Sequence, residues 1–204
     1  MFKISLTELE EVRRDPVAYK KKREGGTGFY PSKSVFQTLK RAIYEYHKNT
    51  DALAAMNYLE DGLESFKSRA SCEKAVGDLQ WYIIEYQKLG WATFLKKHNI
   101  SIPLSTQYLD SLKVTGEISR IDMHPNGTYA VWLFNKGSAG NWQNELRMPI
   151  IQNAVGVELG APPEQIHVGI YTFEDHAVNI HNFTNSDIKR AHLELEDLFR
   201  KMGF

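Results

Sequence analysis

A tight turn between two apolar segments constrains the fold of this chain more than any other stretch. The segments Gly116–Met123 and Thr128–Asn135 are rich in Ile, Val, Tyr, Trp and Phe, and His124–Gly127 (HPNG) separates them. An Asn-Gly pair tolerates the positive φ angles that a tight hairpin turn requires. The second segment carries apolar residues on both of its faces, so we predict a β-hairpin whose second strand lies inside a sheet that is covered on both sides.

Length and composition exclude several classes of protein. The 204 residues suffice for one domain with a substantial core. Lys and Arg together number 25, as do Asp and Glu, so binding to nucleic acid or to an anionic membrane requires a local patch of charge. The only cysteine, Cys72, excludes an internal disulfide and a Cys-x-x-Cys metal site. The N-terminus lacks an apolar signal core and no window approaches a membrane span, so we expect a cytoplasmic protein without membrane contact.

The hydrophobic period predicts helices first and strands afterwards. A capping box at Ser5–Glu8 begins the helices of residues 1–30, and three amphipathic stripes over residues 33–99 predict a helical insertion. Aromatic residues of this insertion, Tyr44 among them, are interpreted as core or interface residues rather than as platforms for bases. From residue 100 the period changes to two, and residues 100–204 predict the order β-β-β-α-β-β-α. We therefore expect one α/β domain over residues 1–204, with a mixed central β-sheet flanked by helices.

A basic run near the N-terminus is the clearest local concentration of positive charge. Such a run can bind the phosphates of DNA. Several glutamates precede it, which favours the alternative that it is a solvated helix face. The candidate DNA-binding residues are Arg13, Arg14, Lys20, Lys21, Lys22 and Arg23.

Four histidines lie on the predicted strands and turns of the β-rich half of the chain, at positions 124, 167, 176 and 181. A neutral imidazole is a good ligand for zinc or iron. No pair of them has the i, i+4 helical spacing of a zinc hydrolase, so we interpret them as surface or hydrogen-bonded residues. The sequence predicts no metal site at these histidines.

The order of several motifs resembles the PD-(D/E)XK nuclease superfamily. The segment ISLTELEEVRRDPVAYK is similar to the leading segment of its RecB-like branch. GEISRID, the turn and YAVWLFNKG resemble the catalytic core of that family, G-x-I-D-R-I-D, a turn and V-I-D-Y-K-T-G, while LRMPIIQNA and HVGIYTF resemble the next helix and strand. The resemblance runs from end to end. It implies a restriction-endonuclease-like core with a helical insertion, as in RecB-like and CRISPR-associated exonucleases.

The same resemblance implies that the catalytic groups of the family are missing. In that family two carboxylates on neighbouring strands hold Mg²⁺ or Mn²⁺, and a lysine orients or activates the attacking water. The resemblance places Ser119 and Leu133 at the two acids and Asn135 at the lysine, and none of these side chains can replace them. Arg147 stands at the glutamine of the family, and Lys40 falls near its upstream histidine. These positions imply a degenerate site with no metal and no other cofactor.

Two functional hypotheses follow from the resemblance. In the first, the chain is a catalytically inactive nuclease-like protein that acts as a binding or regulatory module in nucleic-acid processing or defence. Its partner is a protein, such as a helicase or an active nuclease, or DNA, and the near-neutral charge favours the protein slightly. In the second, the chain is an active Mg²⁺- or Mn²⁺-dependent nuclease with a relocated site at Asp122 and Glu145. Glu117 and Lys136 are further residual candidates for that site.

Overall fold

The structure, a computed structural model, describes residues 1–26 and 34–204 and shows an α/β protein with two mixed β-sheets and flanking helices. This confirms the α/β class with mixed sheet and flanking helices. The α-helices of the described residues are α1 (Leu9–Arg14), α2 (Pro16–Glu24), α3 (Val35–Asn49), α4 (Ala52–Leu63), α5 (Arg69–Leu89), α6 (Arg147–Leu159) and α7 (Asn185–Lys201). The strands are β1 (Phe2–Ser5), β2 (Ala92–Leu95), β3 (His98–Ser101), β4 (Leu112–Ile118), β5 (Arg120–Met123), β6 (Tyr129–Asn135), β7 (Ile166–Thr172) and β8 (Ala177–His181).

The larger sheet has five strands in the order β2-β5-β6-β7-β8, with β6 at its centre. β6 and β7 are parallel, and the other neighbouring strands are antiparallel. Ala130 and Trp132 of β6 pack against α3, α4 and α5 on one face, whereas Val131 and Leu133 join the core formed with α6 and α7 on the other. The prediction that this strand is covered on both faces is therefore confirmed.

The predicted hairpin is confirmed, but its first strand divides between the two sheets. Arg120–Met123 pairs with β6, and the turn closes with the amide of His124 donating to the carbonyl of Thr128 at 2.9 Å and with Gly127 at φ 86°. The preceding strand, β4, instead lies at the centre of a three-stranded sheet of order β1-β4-β3. The chain changes sheet at Ser119, so the single central sheet of the sequence prediction is replaced by two.

Two predicted helical regions contain strands. Residues 2–5 form β1, in which Ile4 is fully buried, ahead of the N-terminal helices. The helical pattern predicted over residues 33–99 ends at Leu89, because Gly90 adopts a left-handed conformation with φ 67°, and residues 92–101 contribute β2 and β3. Ahead of β4, Thr106–Tyr108 form a 3-10 helix. The boundary between residues 30 and 33 lies outside the described residues.

Local capping signals were predicted correctly. Ser5 and Glu8 form a capping box, and so do Thr184 and Asp187 at the start of α7. Asp15 caps α2, whose first residue is Pro16. No helix within the described ranges is long and apolar enough to cross a membrane.

Candidate functional site

Ser119, at the point where the chain changes sheet, lines a cavity of about 400 Å³. The wall of this cavity combines α3, the turn between β2 and β3, the end of β4 and Phe134 of β6. Four cationic side chains face a single carboxylate there, so the cavity carries a local excess of positive charge. We name it the basic pocket, and its polar residues are Gln37, Lys40, Arg41, Tyr44, Lys96, Lys97, Glu117 and Ser119.

The local structure explains why these cations lie together. Lys40, Arg41 and Tyr44 follow one side of α3, next to the buried residues Leu39 and Ile43 that anchor the helix. Lys40 and Arg41 are four and three positions before Tyr44, and side chains at these spacings are neighbours on a helix surface, so all three reach the same opening. The remaining two cations occupy the short turn between β2 and β3, at residues 96 and 97.

Glu117 lies between two lysines of the basic pocket. Its carboxylate oxygens are 3.3 Å from Lys40 Nζ and 2.9 Å from Lys97 Nζ. Partial burial opposes ionisation, but the hydrogen bond from Lys97 and the charges of both lysines hold the pKa of Glu117 below its ordinary value. Lys96 Nζ donates to the carbonyl of Lys48 at 3.2 Å. Arg41 has no carboxylate partner among the described residues, so its guanidinium is available to a ligand.

A fully buried ion pair lies directly after Ser119. Arg120 and Asp122 are both 0% exposed, because alternate residues of β5 point toward α3 and α5. Arg120 Nε donates to Asp122 Oδ1 at 2.7 Å, and Nη2 lies 2.7 Å from Oδ2. The guanidinium also donates to the hydroxyl of Tyr82 and, at 3.3 Å, to that of Tyr171. This network stabilises the packing of the helices on the sheet.

His47 of α3 completes the buried network. Its Nε2 lies 3.2 Å from Arg120 Nη1 and 2.7 Å from the hydroxyl of Tyr82, and its Nδ1 lies 3.0 Å from Thr93 Oγ1. Burial and the charge of Arg120 lower the pKa of His47 to about 2, so the imidazole is neutral. Since arginine only donates hydrogen bonds, Nε2 accepts and Nδ1 carries the proton toward Thr93.

The structure does not gather the degenerate catalytic positions into one site. Ser119 lies in the basic pocket, whereas Leu133 points to the opposite face of β6 and packs in the core of α6 and α7. Asn135 closes a local turn, with its amide donating to the carbonyl of Ser138 at 2.9 Å. Arg147 begins α6 and its Nε donates to Glu145 at 2.6 Å. The spacing of the family motif therefore does not place these side chains around one cavity.

The residual acids are also dispersed. Asp122 lies in the layer of α3 and α5, paired with Arg120, while Glu145 lies next to Leu146 in the layer of α6. Glu117 lies in the basic pocket, and Lys136 lines a separate cavity of about 520 Å³. In residues 1–26 and 34–204, no group of three or more His, Cys, Asp or Glu side chains has the geometry to hold a metal ion. Asp122 and Glu145, the residues predicted for a relocated metal site, lie in different layers of the structure, and an active site that uses them stays a prediction.

Most of the N-terminal basic run is engaged within the protein. Arg14 and Lys21 are exposed and have no ion pair with the described residues. The other four make the contacts Arg13–Glu194 (2.6 Å), Lys22–Glu11 (2.7 Å), Arg23–Glu8 (3.6 Å) and Lys20 Nζ to the carbonyl of Met202 (2.8 Å). DNA binding by this run stays a prediction, and fewer of its positive charges are without an internal contact than the sequence suggests.

The histidines of the β-rich half make ring contacts with aromatic side chains. His176 stacks on Trp81 at 4.8 Å and its Nε2 lies 2.8 Å from Asp78, while His124 lies 4.9 Å from Trp91. His181 packs edge-on against Phe183 at 4.6 Å, and His167 lies 6.1 Å from Trp91. Burial lowers the pKa of His167.

The sequence reasoning missed the residues that matter most here. Arg41, Lys96 and Lys97 were not singled out, and His47 was assigned only to a helical stripe. One signal was present, because Arg120 and Asp122 are two residues apart in an otherwise apolar strand and so must share a face. The convergence of α3 with the turn after β2 has no comparable signal in the sequence.

Comparisons with known proteins do not assign a family. No family model matches the chain, and no curated protein matches it. Solved chains do match, and one of them is described as "Crystal structure of SSO0001", with 12% sequence identity and a TM-score of 0.36. That match covers 95% of this chain and 86% of the other. The functional conclusion therefore depends on the geometry of this chain's own residues.

Proposed function

We propose that this protein is a nuclease-like module that binds nucleic acid at the basic pocket without cleaving it. The observation that carries this proposal is the charge of the pocket, where four cations face one carboxylate. A Mg²⁺ ion at a site of phosphoryl transfer is usually held by one or two carboxylates together with phosphate oxygens, and the one carboxylate of this pocket is paired with two lysines. A pocket with this charge instead attracts the anionic phosphates themselves.

Individual side chains of the pocket suit a nucleic-acid ligand. Arginine binds phosphate oxygens through two parallel hydrogen bonds, and Arg41, which has no carboxylate partner in residues 1–26 and 34–204, can do so. The hydroxyl of Ser119 can donate to a phosphate oxygen, where the aspartate of the family would repel it. The ring of Tyr44 is 38% exposed at the pocket and offers a face on which a base can stack.

The restriction-endonuclease-like core is part of this proposal. Its support is the order of elements in the larger sheet, where the hairpin of β5 and β6 is followed by α6 and by β7, which runs parallel to β6. The single cysteine favours action in the reducing cytoplasm. Binding to a protein partner stays the competing prediction, and the experiment below separates the two.

The test measures binding of fluorescently labelled single-stranded DNA, duplex DNA and RNA by anisotropy at low and at physiological salt. We expect binding to weaken as salt rises, because phosphate neutralisation releases counterions. The double substitution Arg41→Glu with Lys96→Glu reverses two pocket charges and breaks no ion pair between described side chains. It should weaken binding by about tenfold or more, corresponding to at least ~1.4 kcal/mol.

A matched control is the double substitution Arg14→Glu with Lys21→Glu, which changes the net charge equally at exposed positions of the N-terminal run. Loss of binding in this control alone would place the nucleic-acid site on the run. If none of the nucleic acids binds, the protein-partner prediction is favoured. Cleavage that requires Mg²⁺ or Mn²⁺ and is lost in Glu145→Gln would support the relocated active site instead.

A further inference from the structure

We infer that the basic pocket selects a phosphate monoester, such as the phosphorylated end of a nucleic-acid strand, over an internal phosphodiester, because Glu117 is an internal carboxylate that a ligand must displace and only the more highly charged anion gains clearly from the exchange. The inference rests on the proposed function and names the ligand group that the same pocket prefers. In the pocket, the carboxylate of Glu117 lies between the ammonium groups of Lys40 and Lys97. No other carboxylate lines this pocket within the described residues.

Glu117 occupies the place that an incoming anion would take. Its two oxygens contact Lys97 Nζ at 2.9 Å and Lys40 Nζ at 3.3 Å, so the unliganded pocket already holds one negative charge. The Glu117 side chain is 38% exposed, and it can turn toward solvent without crossing a packed core. An anionic ligand that contacts both lysines must displace this carboxylate.

Both kinds of ligand meet the same cost of displacing Glu117, and they differ in the charge that they bring to the cations. An internal phosphodiester carries one negative charge, so it replaces one monoanion by another and gains little from these two lysines. A phosphate monoester carries about −1.5 to −2 charges at pH 7 and presents three acceptor oxygens. A monoester therefore interacts more strongly with the four cations than the Glu117 carboxylate does. This stronger interaction favours binding of the monoester over the diester.

The surrounding groups fit a terminal phosphate with its attached nucleoside. Arg41 and Ser119 can supply further donors to the three oxygens. Ile43 and Phe134 form an apolar part of the wall, and Tyr44 lies at the opening. A cavity of about 400 Å³ is within the range of small-molecule sites, which suits one terminal nucleotide.

The experiment compares one labelled oligonucleotide with a 5′-phosphate, with a 3′-phosphate and with hydroxyl groups at both ends, by anisotropy. We expect the wild-type protein to bind a phosphorylated end about tenfold more tightly than hydroxyl ends. Glu117→Gln removes the internal anion while keeping the side-chain shape. It should bind both kinds of end more tightly and by a similar factor, because the cost of displacing Glu117 is the same for both, so the preference of about tenfold should persist.

A matched control is Glu45→Gln, which removes the same charge from α3 at a residue that pairs with Lys48 and does not line the pocket. This variant should keep the wild-type affinity for both kinds of end. Adenosine monophosphate is added as an unlabelled competitor to distinguish the two sources of a monoester. Competition as effective as that of the phosphorylated strand would support monoester selection and would overturn the nucleic-acid part of the proposed function.

The remaining outcomes separate the inference from the proposed function. Equal binding of phosphorylated and hydroxyl ends, with binding still sensitive to Arg41→Glu and Lys96→Glu, would overturn the inference and leave the proposed function standing. Weaker binding by Glu117→Gln would also overturn it, because Glu117 would then order the lysines for the ligand. Absence of binding to every probe, adenosine monophosphate included, would overturn both.

Discussion

Replacing Asp122 by asparagine should destabilise this protein strongly, whatever its catalytic status. The substitution removes the negative charge and keeps the shape, which leaves the guanidinium of Arg120 uncompensated at 0% exposure. Removing one partner of a buried ion pair costs about 3–5 kcal/mol. The asparagine carbonyl can still accept the bond from Arg120 Nε, which is 2.7 Å in the wild type, so we expect about 3 kcal/mol.

The double substitution Arg120→Met with Asp122→Leu tests the physical reason. Apolar replacement of both partners removes both buried charges, and such exchanges are often neutral or stabilising. The hydroxyl of Tyr171 loses its donor, but His47 and Tyr82 retain their mutual contact at 2.7 Å. We therefore expect the double variant to be more stable than Asp122→Asn, although it changes more atoms.

Urea denaturation gives the free energies of unfolding, followed by tryptophan fluorescence and far-ultraviolet circular dichroism. Trp132 is a local probe, since it is fully buried with its ring 5.5 Å from the Arg120 guanidinium carbon. The exposed residue Asp61 supplies the control, and Asp61→Asn should change stability by less than about 0.5 kcal/mol. A cost below about 1 kcal/mol for Asp122→Asn would refute the assignment of a structural ion pair.

This prediction changes how activity measurements on Asp122 are interpreted. Loss of activity in Asp122→Ala is the usual test for a metal-binding aspartate. Here the same substitution removes the partner of a buried arginine, so inactivity would follow from unfolding alone. Activity of Asp122 variants is informative only at temperatures where their folded state is verified.

Three further predictions concern stability and binding. The unfolding free energy should fall by about 1.4 kcal/mol per pH unit as the pH drops below about 6.5, because His47 stays neutral in the folded protein, with a pKa of about 2, and takes up a proton in the unfolded chain. In urea titrations at a series of pH values, His47→Gln should reduce this dependence of stability on pH. Gly169→Ala should destabilise by about 1–3 kcal/mol or prevent folding, because the new Cβ would lie 2.2 Å from the ring of Trp132, and a thermal melt that matches wild type would contradict this. Tyr44→Ala should weaken single-stranded DNA binding by about 1–3 kcal/mol in anisotropy titrations, whereas Tyr58→Ala, on α4 and outside the pocket, should not.

The hairpin and the helix caps were predictable because the information is local. A turn at residues 124–127 needs an Asn-Gly pair, and a capping box needs Ser or Thr three residues before an acid. The burial of β6 on both faces was also predictable from the sequence, since its apolar residues occupy both faces. Such features depend on residues only a few positions apart.

The division of the first strand at Ser119 was not predictable from the alternating pattern. Strand propensity is the same on both sides of this residue, and only the neighbours decide which sheet each half joins. The helical period of α5 likewise gave no warning that residues 92–101 become strands. Pairing with distant strands overrode the local signal there.

Sequence alone therefore determined the element types of the hairpin and the helix caps. Only the tertiary structure decided which charged residues meet. The basic pocket joins α3, the turn after β2 and the end of β4, with Lys40 and Glu117 separated by 77 positions, and the buried network joins His47 to Arg120 across 73. The physical reason is that helix packing on a sheet fixes such contacts through the shape and burial of all the layers together, and no spacing rule within one segment encodes them.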